Sequence, residues 1–195
     1  KYCSKEEFLS RYNIDGEGKT VIGIMARLDA VKDHETFLNA AYRVLQERKD
    51  VVFLIAGTGN DEKRLKSMVE DLGISENVFF LGYVVDQYSF FNAIDVNILT
   101  SISESFPYVI LEGARLKKTI ISTEVGGVGD LIKNGYNGWL IKVKDSKTLA
   151  KYILTLLEDK ERIEIMGENL YKSVEANFSS KKMALDHFKI YEKIN

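Results

Sequence analysis

Six times over, the sequence alternates a short β-branched apolar run with a longer stretch of 3.6-residue periodicity. Parallel strands need a crossover between them, and a helix is the usual one. This order therefore predicts an α/β fold: a Rossmann-like six-stranded parallel sheet with helices on both faces. The strands are expected at Val21 to Met25, Val52 to Ile55, Val78 to Leu81, Val96 to Leu99, Thr119 to Ser122 and Trp139 to Ile141. Helices are expected at Glu35 to Glu47, Glu62 to Leu72, Gln87 to Ala93, Pro107 to Leu116, Gly129 to Lys133 and Ser146 to Leu157. A short helix opens the chain up to about Tyr12, and two more follow Leu157. The last, Ser179 to Lys193, carries an apolar stripe of Met183, His187, Phe188 and Tyr191 that calls for cover, from its own domain or another. Glycines such as Gly57, Gly82, Gly126 and Gly135 fall at the joints, and Pro107 sits at a helix start, where its missing N–H does no harm.

No linker, repeat or charge block divides the sequence, so residues 1–195 read as one domain. Its 27 basic and 29 acidic side chains leave a net charge of −2, which gives no field to gather nucleic acid or an anionic membrane. No apolar run approaches the roughly 18 residues that span a bilayer, so no membrane contact is expected from this domain. A cytoplasmic location follows, extending to the inner face of the membrane for a full-length protein. The lone Cys3 cannot form an internal disulfide, and His34 and His187 lack partners at metal-ligand spacing. The chain opens without Met on the cap signal Ser4-Lys5-Glu6-Glu7, as expected of a segment of a longer protein.

Open α/β sheets bind ligands beyond the carboxyl ends of their strands, and three such segments stand out. After the first strand, Arg27 and Lys32 could converge from the two ends of one loop on a polyphosphate. Taken alone they are equally a solvated surface pair, and His34 beside them reads as a helix-start polar residue. After the second strand, Gly57-Thr58-Gly59 invites a dinucleotide reading, but Glu62 stands where a third glycine is needed. A tight turn is the better account. The third segment runs from Ser101 to Gly113. Glu104 lies in the loop after the fourth strand, and free N–H groups of the following helix turn would face the same pocket. Glu112 lies about one and a half turns into that helix. Carboxylates suit sugar hydroxyls while backbone N–H groups, Arg27 and Lys32 suit phosphate, although two glutamates eight apart are by default surface.

With these residues the sequence resembles the family 4 retaining glycosyltransferases, in the carboxyl-terminal donor-binding half of their two-domain GT-B fold. Their shared Glu, seven residues, Glu motif is matched by Glu104 to Glu112. Three further landmarks follow the family's order: the Arg27 and Lys32 pair, Phe80-Leu81-Gly82-Tyr83-Val84, and Glu124-Val125-Gly126-Gly127 through Trp139. The resemblance implies that Arg27 and Lys32 neutralise the donor diphosphate and that Glu112 accepts from the ribose hydroxyls. It implies that Glu104, with the backbone around Ser105, Phe106 and Pro107, holds the transferred sugar, and that Leu111, Gly82, Tyr83 and Val84 line the nucleotide. Glu104 is then donor-positioning rather than nucleophilic.

Metal independence and the absence of a cofactor are implied as well, with a nucleotide sugar, UDP-linked in preference, as the donor. The acceptor would be a glycan, lipid or other molecule in polysaccharide or glycoconjugate biosynthesis. The family's amino-terminal acceptor domain has no room in 195 residues, so the isolated chain is expected to bind donor weakly and transfer it poorly or not at all. Competing readings are a sugar-nucleotide epimerase or another non-transferase of the same fold, and a non-catalytic binding module. The sequence departs from the family at Ser105, usually Gly; at Asp130, usually Glu; and at Lys117-Lys118-Thr119, usually Gly-x-Pro. Lys117 and Lys118 at a helix end are expected to serve the helix dipole.

Overall fold

A computed structural model describes residues 2–178. The stripe expected on Ser179 to Lys193 lies outside the described residues. The sheet is formed by β1 (Thr20–Met25), β2 (Val51–Ala56), β3 (Val78–Gly82), β4 (Val96–Leu99), β5 (Thr119–Thr123) and β6 (Trp139–Ile141). All pairings are parallel and the spatial order is β3-β2-β1-β4-β5-β6. The helices are α1 (Lys5–Arg11), α2 (His34–Glu47), α3 (Glu62–Asp71), α4 (Gln87–Ala93), α5 (Tyr108–Arg115), α6 (Val128–Leu131), α7 (Ser146–Glu158) and α8 (Lys160–Phe178). The Rossmann-like sheet expected from the alternation is present.

Strand periodicity sorts the core into layers. Ile22 and Ile24 of β1 and Phe53 and Ile55 of β2 point to the face covered by α2, α3 and α7. Val21, Val52 and Leu54, one step out of phase, point to the face covered by α1 and α4. Leu99 and Ile120 carry that second face on to α5, α6 and the later part of α8. Strands buried on both faces explain the continuous apolar runs.

Local chemistry sets the helix ends. Ser4 caps α1 in a reciprocal capping box with Glu7, and aspartates cap α2, α4 and α7 through Asp33, Asp86 and Asp145. The helix expected to run to Lys133 stops at Leu131, because Asn137 takes the Leu131 carbonyl and the Lys133 N–H at 3.1 and 2.7 Å. Pro107 is the cap residue of α5 rather than its first helical residue. Lys118 does not serve the end of its own helix. Its ammonium reaches across to the Asn92 carbonyl at 3.0 Å, near the end of α4, and burial lowers its pKa. Lys117 adopts φ 56° and pairs with Glu168 of α8 at 2.7 Å. Among the described residues no helix is long and apolar enough to cross a membrane.

Phe37 of α2 is fully buried and meets Phe53 of β2 edge-on, with ring centroids 5.7 Å apart. Replacing Phe37 with Ala should cost about 3–5 kcal/mol in urea unfolding, as deletion of a buried aromatic usually does. A loss under about 1 kcal/mol would show that this layer repacks around the gap.

Candidate functional site

The sheet order reverses between β1 and β4. The chain leaves β1 toward β2 on one side and leaves β4 toward β5 on the other, so the two departing loops diverge and open a crevice at the carboxyl end of the sheet. Both loops carry the charged residues expected of a site.

The loop after β1 is shaped by Asp29. Its carboxylate accepts from the Val31 and Lys32 N–H groups at 3.1 and 3.2 Å, folding Ala30–Lys32 into a 3-10 turn. Asp33 then takes φ 46° and caps α2. These two turns direct Lys32 toward the loop after β4, where Lys32 Nζ meets Glu104 Oε1 at 2.6 Å. Both side chains are largely buried, so the pair is poorly screened. Two further bonds join the same loops: Thr100 Oγ1 donates to the Lys32 carbonyl at 2.9 Å, and the Ile102 N–H donates to the Val31 carbonyl at 2.8 Å. Arg27 stands apart from this pair. Its guanidinium is 79% exposed and contacts Asp29 at 3.2 Å, a screened contact from which an incoming anion could draw it.

Glu112, in α5, is half-buried, and desolvation raises its carboxyl above the ordinary range. It makes no hydrogen bond or ion pair among the described residues, so a desolvated acceptor stands ready for hydroxyl donors. The first turn of α5 is less open than expected. The Tyr108 and Ile110 N–H groups are taken by the Phe106 and Pro107 carbonyls at 3.1 and 3.0 Å. Phe106 rests edge-on against the exposed Tyr108 ring, and Ser105 is exposed beside it.

The remaining candidates divide. Tyr83 is 74% exposed and Gly82 has φ 68°, its carbonyl accepting from the Gly57 N–H at 2.8 Å. Val84 and Leu111 pack their side chains on the core, the first buried and the second partly so. Val84 is buried in the core under α1 and α4, and Leu111 packs against the cluster under α5 and α8. Apolar residues, whether just past a strand end like Val84 or within a helix like Leu111, bury whenever a core lies within reach.

The glycines of this end serve close approach. A Cβ at Gly57 would lie 2.0 Å from the Ala26 carbonyl oxygen, and one at Gly59 would lie 2.2 Å from that of Leu28. The Gly-x-Gly turn is thus packed on the backbone of the Arg27 loop. Gly126 has φ 51°, and its Cβ would fall 1.6 Å from the Glu104 carbonyl oxygen. The loop after β5 therefore lies directly on the segment that carries Glu104. His34 is at the helix start as expected, but it is 2% exposed and neither ring nitrogen has a partner among the described residues. Burial is the main cause that lowers its pKa from 6.5 to about 4, against the pull of Asp29 and Asp61.

Sequence reasoning missed Ser101 and Thr123. Ser101 Oγ donates to Glu104 Oε1 at 2.6 Å, and Thr123 Oγ1 donates to the Ser101 carbonyl at 2.6 Å. Both are fully buried. A hydroxyl just where an apolar strand gives way to polar residues was the only available signal. Among the described residues no three His, Cys, Asp or Glu side chains are grouped so as to hold a metal ion.

Residues 5–173 match the family model described as glycosyl transferases group 1. The N-acetyl-alpha-D-glucosaminyl L-malate synthase of Bacillus anthracis is 31% identical over 180 residues, which is 92% of this chain and 47% of that protein. The capsular polysaccharide biosynthesis glycosyltransferase CapM of Staphylococcus aureus is 29% identical, over 82% of this chain and 42% of its own. The chain thus spans about half the length of these relatives. Among solved structures, Anabaena HepE in complex with UDP-glucose superposes with a TM-score of 0.87 at 23% identity, covering 97% of this chain and 52% of HepE. The carboxyl-terminal domain of the group 1 protein LpcC from Francisella tularensis superposes with a TM-score of 0.78 at 26% identity, covering 84% of this chain and 88% of that one. The fold is one half of a GT-B glycosyltransferase.

His34 gives the fold around the site a pH dependence. As pH falls below 6.5 the unfolded chain takes up a proton at this residue, while the folded chain does not until about pH 4. Stability is lost across that window by about 1.4 kcal/mol per pH unit, or roughly 3 kcal/mol in all. His34→Leu should remove this component of the slope when unfolding free energy is measured from pH 7 to pH 4. A slope unchanged by the substitution would mean that buried His34 is protonated with little penalty.

Proposed function

The chain belongs to the group 1 glycosyltransferases, and from that premise we propose that it is the donor half of a transferase that moves a hexose, with retention, from a nucleotide sugar to an acceptor. The observation that carries this reading is the Lys32–Glu104 pair, held in the crevice where the strand order reverses. One cation and one carboxylate side by side match the two ends of a nucleotide sugar. Lys32 and Arg27 face the diphosphate, and Glu104 accepts from the hydroxyls of the sugar. Glu112, desolvated and unpaired among the described residues, accepts from the ribose hydroxyls, which strengthens the charged form that burial disfavours.

Mechanistically, transfer requires that the diphosphate leave with its negative charge stabilised. Arg27 and Lys32 supply that stabilisation as positive charge, strongest where water is excluded. Lys32 is already buried, while Arg27 must move from Asp29 to the ligand. Gly82 at the end of β3 and the exposed Tyr83 after it would border the nucleotide, with the backbone around Ser105 to Pro107 bordering the sugar. UDP is the nucleotide we favour, supported by HepE, which was solved with UDP and UDP-glucose. A role in polysaccharide or glycoconjugate biosynthesis is supported by relatives such as CapM. The acceptor is bound by a further amino-terminal domain, in keeping with the half-length match, and in this reading the two cationic side chains take the part that a metal would otherwise play.

Calorimetric titration with UDP, GDP, ADP and their glucose conjugates tests the reading. One nucleotide should bind saturably, and Arg27→Ala and Glu112→Ala should each weaken it by roughly 10- to 100-fold, as for loss of a charged hydrogen bond. Binding that neither substitution alters would place the nucleotide elsewhere on the chain.

A further inference from the structure

Ser101 has no task in the donor contacts described above, yet it touches the centre of the site. It follows β4 directly, is fully buried, and donates to Glu104 Oε1 at 2.6 Å, the oxygen that Lys32 Nζ also reaches at 2.6 Å. Its backbone is fixed in turn by Thr123 at the end of β5, whose buried hydroxyl donates to the Ser101 carbonyl at 2.6 Å. A chain of two hydroxyls therefore runs from the sheet to one oxygen of Glu104. The other oxygen, Oε2, accepts no hydrogen bond among the described residues.

We propose that Ser101 is a positioning residue that fixes Glu104 for the sugar of the donor, with Thr123 fixing Ser101. This rests on the donor-site reading. In the free protein Lys32 and Ser101 share the task of holding Oε1. A bound diphosphate draws Lys32 toward its own charge, and Glu104, with its side chain 10% exposed, would then lose its principal partner in a poorly hydrated place. The Ser101 hydroxyl cannot be drawn away, because it is anchored to a strand end and carries no charge. It keeps the carboxylate in one orientation while Oε2 stays free to accept from a sugar hydroxyl. A carboxylate oxygen can accept two hydrogen bonds, so Ser101 and Lys32 do not compete before the ligand arrives.

The inference separates two parts of the ligand, and so does its test. The chain and its variants are titrated with UDP and UDP-glucose, or with whichever nucleotide binds and its glucose conjugate. Ser101→Ala should weaken the conjugate about tenfold and the bare nucleotide less than about twofold, because only the sugar meets Glu104. In a Glu104→Ala background the same substitution should have no further effect. Thr123→Val, similar in shape but lacking the hydroxyl, should shift the same ratio in the same direction by a smaller factor, and carries the test if Ser101→Ala fails to fold. Equal losses for both ligands, or a loss that persists without Glu104, would make Ser101 merely structural and overturn the inference alone. A wild-type chain that binds none of UDP, GDP and ADP would overturn the donor-site reading and this inference with it.

Discussion

The pairing of β1 with β4 is the constraint on which the rest of this structure depends. The two strands meet in parallel through Ile22 with Val96 and Gly23 with Asn97. Asp95 secures the start of that pairing: its N–H donates to the Val21 carbonyl and its carboxylate accepts the Val21 N–H, both at 2.7 Å, while Lys5 of α1 neutralises it at 2.6 Å. Gly23 is small because Phe90 and Ile94 press against it, at 2.9 and 2.5 Å from where a Cβ would stand. With β1 and β4 adjacent, β2 and β5 must lie on opposite sides, and the loops leaving the central pair diverge. The crevice follows from this order before any side chain enters it.

What fills the crevice is held by short-range polar contacts rather than by apolar packing. Asp29 and Asp33 fold the first loop, Thr100 and Ile102 tie the second loop to it, and glycines allow neighbouring backbones to close from both sides. The Lys32–Glu104 pair is the product of that framework. A buried ion pair adds little net stability, because desolvation offsets its attraction. On the donor-site reading proposed above, a charge already in place need not be ordered again when the ligand binds. His34, buried beneath the same loop without a partner among the described residues, adds a further stability cost close to the site.

Much of the fold was legible because it is written in local periodicity. Four of the six strands differ from expectation by one or two residues, and those at Val96 and Trp139 not at all, since a buried parallel strand is a continuous apolar run wherever it sits. Glu104 and Glu112 stood out through the family motif that they match, and Gly126 by its place in a landmark. The expectation that failed concerned a residue whose role depends on a partner distant in sequence. Lys118 was assigned to its own helix end and instead reaches Asn92.

The order of strands and helices, the membership of the family and the identity of the charged residues were all carried by the chain as written, because hydrophobic period, turn residues and motif spacing act over a few residues at a time. That Lys32 meets Glu104, 72 positions away, was decided by the sheet order, which brings the ends of β1 and β4 together. The same holds for Thr123 and Ser101, joined across two strands, and for the burial of His34. A single hydroxyl or imidazole has no local signature of its partner. Its role is set by whatever the folded chain places beside it.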